Sequence, residues 1–133
     1  MKILISWLLA MVLVLTMFNV PSKTVYAVQE LTLDQKIDKY ATEYHVNPVV
    51  ARAIISCESG GDPNALGTMA VIGQDIGIWQ INDYFHEETA NKLGLNIYNQ
   101  DNNLRYGMIL LFEQGTSPWK WSKSCWSKKL SIV

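Results

Sequence analysis

The first twenty residues limit the rest of the chain more than any other feature. Lys2 is followed by an apolar run from Ile3 to Val20 that only Ser6, Thr16 and Asn19 interrupt. A basic start, a long apolar stretch and the small residues Val25 and Ala27 ahead of a junction make an export signal, with cleavage expected after Ala27. The alternative is an uncleaved membrane anchor, because the run approaches the roughly 20 residues that span a bilayer. In both cases the folded part is residues 28–133, or 106 of the 133. That length holds one hydrophobic core and little more, so a single domain on the far side of the membrane is expected.

Export sets the reading of the two cysteines. In an oxidising compartment Cys57 and Cys125 are expected to pair, closing a loop of 68 residues. The chain-entropy model gives such a bridge roughly 4 kcal/mol. His45 and His86 share no ligand spacing with the cysteines, and a cysteine nucleophile is disfavoured where thiols are oxidised; no metal is expected. Residues 28–133 carry nine basic and twelve acidic side chains, a formal charge of −3 that does not suit a nucleic-acid partner. The charge is uneven, however. Lys120, Lys123, Lys128 and Lys129 lie in an acid-free tail, which is either a face for an anionic polymer or a solvated end.

The pattern from residue 32 onwards is mainly helical. Thr32-Leu-Asp-Gln35 has the form of a capping box, and Leu33, Ile37, Tyr40, Ala41 and Tyr44 then share one helical face. His45-Val-Asn47-Pro48 ends that helix and starts another, with Asn47 as N-cap and Pro48 in the first turn. The second helix is apolar through Cys57 and stops at Glu58-Ser-Gly-Gly. Turn residues then dominate, and the short runs Met69–Ile72 and Ile76–Ile81 are expected to be strands of a small hairpin. Helices return over about Phe85–Leu93 and Asp101–Gln114, the latter with Leu104, Met108, Leu111 and Phe112 on its buried face. The expected class is α+β, mainly α-helical, with a small β-hairpin.

Glu58 is the most chemically suggestive residue. An acid at the C-terminal end of an apolar helix meets the negative end of the helix dipole and loses hydration, and both raise its pKa. Its surroundings in sequence, Ala53-Ile-Ile-Ser-Cys-Glu58-Ser-Gly-Gly-Asp-Pro-Asn64-Ala65, resemble the catalytic segment of the lytic transglycosylase (SLT) families. Further on, Gly77-Ile-Trp-Gln80-Ile-Asn82 resembles their Gly-Leu-Met-Gln signature and also the Gly-Ile-Leu-Gln-Ile-Asn of c-type lysozymes. The resemblance to the lysozyme-like superfamily covers about residues 33–126. It implies a glycosidase that cuts the β-1,4 bond between N-acetylmuramic acid and N-acetylglucosamine in peptidoglycan, with Glu58 as acid and no cofactor.

The two relatives differ in chemistry. In c-type lysozymes an Asp two residues before the Gly-Ile is the second catalytic carboxylate; Asp75 occupies that position, 17 residues after Glu58. Transglycosylases lack it, and their single Glu acts first as acid and then as base while the sugar's 6-hydroxyl closes an anhydro ring. The Glu-Ser pair and the Pro-Asn-Ala favour the transglycosylase. The resemblance further implies substrate contacts from Ser59, Trp79, Gln80 and Asn82. Asn103-Leu-Arg-Tyr106-Gly107 resembles the Asn-Ile-Arg-Ala-Gly helix of the transglycosylases, but Leu110 stands where that family has a Tyr bonded to the catalytic acid, with Tyr106 as the substitute. One or two of Trp79, Trp119, Trp121 and Trp126 are expected to stack on sugar. The expected partner is the peptidoglycan glycan strand, bound by a monomer that is secreted or held at the cell wall. A non-catalytic wall-binding domain and an exported interaction protein are the alternatives.

Overall fold

Thr32 starts the first helix of the domain. Its hydroxyl accepts from the Gln35 N–H while the Gln35 side chain accepts from the Thr32 N–H, a complete capping box on α1 (Leu33–Glu43). Asn47 Oδ1 accepts from the Val49 N–H at 2.8 Å and Pro48 takes the first position of α2 (Pro48–Glu58). The computed structural model describes residues 29–68 and 71–132. The expected export signal at 1–27 lies outside them. From Leu31 onwards the chain forms one compact unit.

The hairpin is smaller than expected and its turn lies elsewhere. Strands β1 (Asp75–Ile76) and β2 (Ile81–Asn82) pair antiparallel, Asp75 against Asn82 and Ile76 against Ile81. The run Ile76–Ile81 is therefore the whole hairpin, not one strand. It turns because Gly77 and Gln80 both have positive φ, 71° and 51°. Of the other expected strand, Met69 and Ala70 lie outside the described residues, and Val71–Gly73 are bends. The third partner of the sheet is instead Leu66, bridged to Ile76.

Helix α3 (Asp83–Lys92) follows β2 directly, and α4 (Gln100–Gln114) is capped by Asn99, whose Oδ1 accepts from the Asp101 and Asn102 N–H groups. Leu104, Met108 and Leu111 of α4 are buried as expected, but Phe112 is exposed and Leu110 is buried in its place. The apolar stripe thus runs through 104, 108 and 111 without reaching 112. The C-terminal segment, which carries no clear helical pattern in sequence, forms a 3-10 helix (Ser117–Ser122) and α5 (Lys123–Leu130). α5 packs on α2, where the Cys57–Cys125 disulfide joins them. The arrangement is the expected one, mainly helical with a small antiparallel hairpin.

The core centres on three indoles. Trp79 from the hairpin turn and Trp119 from the 3-10 helix lie with ring centroids 4.8 Å apart, and Trp126 of α5 packs beside them. Each buried indole N–H has an acceptor: Trp79 donates to the Leu104 carbonyl, Trp119 to the Trp79 carbonyl and Trp126 to the Trp119 carbonyl, each at 3.0 Å. The same bonds tie the hairpin, α4 and the C-terminal segment together.

Candidate active site

Glu58 is the last residue of α2, which cannot continue because Gly60 and Gly61 both take positive φ. The side chain is half-buried and points into a cavity of about 560 Å³. Its pKa is raised, first by burial and then by the charge of Asp75, against the lowering effect of a hydrogen bond from Ser122. Ser122 Oγ donates to Glu58 Oε1 at 2.5 Å. Burial therefore acts as the sequence argument requires, and a second carboxylate adds to it.

The opposite wall comes from the hairpin. Asp75, Gln80 and Asn82 all line the cavity that Glu58 enters. Asn82 Nδ2 donates to Asp75 Oδ1 at 3.0 Å and to the Ile72 carbonyl at 3.3 Å, which fixes both side chains. Among the described residues Asn82 Oδ1 is buried without a partner, so it is an acceptor with unused capacity at the cavity wall. The Gln80 amide nitrogen is already engaged by the carbonyls of Ala65 and Gly77 and holds the turn that Gln80 itself occupies.

Three expected substrate contacts are placed elsewhere. Trp79 is fully buried, with Trp119 against one side and Gly107 against the other, so neither face is open to a sugar. Ser59 is a fastener: its hydroxyl donates to the Ile78 carbonyl at 2.8 Å and accepts from the Gly61 N–H, tying the end of α2 to the hairpin turn. Tyr106 is also buried, and its hydroxyl meets His86 Nδ1 at 3.1 Å, not Glu58. The hydrogen bond to Glu58 is supplied by Ser122, while Leu110 presents only an apolar side chain to the cavity.

The cavity also brings in His86 and Phe85, to which the sequence assigns no role in the site, together with the expected candidate Trp121. His86 lines it, its pKa lowered by burial, and Phe85 and Trp121 stand exposed at its margins. Trp121 is 88% exposed, with Lys120 Nζ 5.1 Å from its ring centroid. Of the tryptophans named as candidates for sugar stacking it alone has a free face; Trp126 is buried, and Trp119 borders the cavity only from within the core. One signal for Ser122 is present in the sequence. The expected disulfide brings Cys125 beside Glu58, and Ser122 lies three residues from that cysteine.

The arrangement offers a carboxyl that keeps its proton above the ordinary range at one wall, and a carboxylate with an amide acceptor at the other, around a space large enough for sugar rings. Among the described residues no three His, Cys, Asp or Glu side chains group to hold a metal ion. A family model described as a lysozyme-like domain matches residues 40–122, which include Glu58, the hairpin and Ser122. Neither a curated protein nor a solved structure matches the chain.

Proposed function

The chain belongs to the lysozyme-like domain family, and from that premise we propose that it is a peptidoglycan glycosidase of the lytic transglycosylase type with Glu58 as its catalytic acid. The observation that carries this reading is Glu58 itself: a half-buried carboxyl with a raised pKa, facing a cavity of about 560 Å³. A general acid must still hold its proton at working pH, and burial moves the Glu58 pKa in that direction. Glu58 gives its proton to the oxygen bridging N-acetylmuramic acid and N-acetylglucosamine as the bond from that oxygen to the anomeric carbon breaks. The resulting carboxylate then takes the proton of the muramic acid 6-hydroxyl as that oxygen bonds to the anomeric carbon, giving a 1,6-anhydro end. Residues 1–27 are proposed as the export signal that delivers the enzyme to the wall.

One observation favours a second reading, hydrolysis. Asp75 lines the same cavity and its charge reaches Glu58, which fits the two-carboxylate plan of a hydrolysing glycosidase. Product mass separates the two. Digestion of purified peptidoglycan by a transglycosylase gives fragments lighter by one water than those of a hydrolase. Glu58→Gln abolishes cleavage under either reading while binding to insoluble wall persists; unchanged cleavage refutes the assignment of the acid, and loss of wall binding by the native chain refutes the substrate. Asp75→Asn keeps most of the turnover in the transglycosylase and loses about a hundredfold or more in the hydrolase, where it would remove a group that stabilises the transition state.

A further inference from the structure

Ser122 stands between two acceptors with one hydrogen to give. Its Oγ lies 2.5 Å from Glu58 Oε1 and 3.1 Å from the Trp119 carbonyl oxygen. A hydroxyl has a single hydrogen and two lone pairs. Both contacts are therefore satisfied together only when Glu58 is protonated and donates to Ser122, which then donates to Trp119. Once Glu58 has lost its proton, the serine hydrogen must turn to the carboxylate, since two oxygens that close with no hydrogen between them repel. The Trp119 carbonyl is not orphaned by that turn, because the Trp126 indole N–H still donates to it at 3.0 Å. The rotation itself orphans neither the carboxyl, the hydroxyl nor the Trp119 carbonyl, so it is cheap.

A serine at this place would ordinarily cap a helix. Ser122 is the N-cap residue of α5, yet its side chain makes no capping bond. Its hydroxyl is thus committed to Glu58 and Trp119. We propose that Ser122 is a positioning residue whose hydroxyl turns with the protonation state of Glu58, accepting from the acid before proton transfer and donating to the carboxylate after it. The carboxyl is held in one place while its proton leaves and returns, a task for which Leu110 has no polar group. The proposal rests on Glu58 being the acid. It has a remote consequence: the Trp119 carbonyl, to which the Trp126 indole donates, loses the serine hydrogen whenever Glu58 ionises.

That consequence is measurable by NMR on the protein without substrate, labelled at Glu carboxyls and Trp indoles. The other titratable groups near this pair are Asp75 from β1 and His86 from α3, which line the cavity, and Lys120 and Lys123, which flank Ser122 in sequence. The Trp126 indole resonance is expected to shift with the same midpoint as the Glu58 carboxyl. Glu58→Gln removes that titration, which excludes Asp75, His86 and the lysines as its source. Ser122→Ala uncouples the indole while Glu58 still titrates, with its midpoint moved up by loss of a bond to the charged form, and turnover falls roughly ten- to a hundredfold. Ser122→Thr restores the coupling and most of the turnover. An indole that ignores the Glu58 titration, or follows it equally in Ser122→Ala, overturns the proposal. If Glu58→Gln still cleaved glycan, the acid assignment would fall and the NMR result would stand or fall separately.

Discussion

Burial and the Asp75 carboxylate both disfavour the charge on Glu58, so the folded chain holds that proton more tightly than the unfolded chain does. Stability linked to protonated Glu58 is fully present below its ordinary value of 4.5 and is lost as pH rises through the raised folded value. Glu58→Gln, which is neutral at every pH, is accordingly expected to raise Tm near neutrality and to leave it unchanged in acid. Scanning calorimetry at the two extremes checks this, and a lower Tm at neutral pH would contradict it. The place of Glu58 at the end of an apolar helix is legible from the helical pattern, whereas Asp75 is singled out only through the motif resemblance. The roles of Trp79, Ser59 and Tyr106 are not legible, because a motif gives an order of residues and not a direction. At the hairpin turn the indole goes into the core, and the neighbouring Gln80 amide is spent on the turn's own carbonyls. Ser122 is hidden for a further reason: its partner is 64 residues away, and in the sequence only the cysteine pair points from one stretch to the other.

At the scale of elements, α4 is the plate on which the hairpin is mounted, and two of its residues explain the motif they belong to. Asn103 is almost fully buried and clasps the hairpin, giving its amide hydrogens to the carbonyls of Ile76 and Ile97. Gly107 lets the Trp79 ring lie directly on the helix: a Cβ there would stand 2.2 Å from the ring. Gly107→Ala gains about 1 kcal/mol of helix propensity. It loses up to about 3 kcal/mol because a rigid indole pinned at its N–H must move, so a net destabilisation is expected in denaturant titration. An equal or higher midpoint would show that the indole can retreat. Helix starts are readable to within two residues at Thr32, Asn47 and Asp101, since caps are local chemistry. The hairpin is not, because its turn includes Gln80 at positive φ, which no pattern of apolar residues announces.

Over the whole molecule, the cavity is assembled from distant parts of the chain. α2 carries the acid, the hairpin the second carboxylate, and the C-terminal segment the hydroxyl; the Cys57–Cys125 bridge holds the first to the last. Cys125→Ser is expected to lower stability by about 2–4 kcal/mol and to reduce turnover well below its unfolding midpoint, because α5 then holds Ser122 less firmly against Glu58. Full turnover by a reduced and folded protein would separate the bridge from the site. The architecture class is legible from helical periodicity alone, whereas the packing of α5 on α2 is visible only through the cysteines. Chain order adds a further result. Glu58 is made long before Trp119, Ser122 and Cys125, so an emerging chain, or one clipped ahead of them, has the acid without the wall that sets its proton affinity. Synthesis therefore completes this cavity late, and Glu58 lacks its hydroxyl partner until the segment around Ser122 and Cys125 is in place.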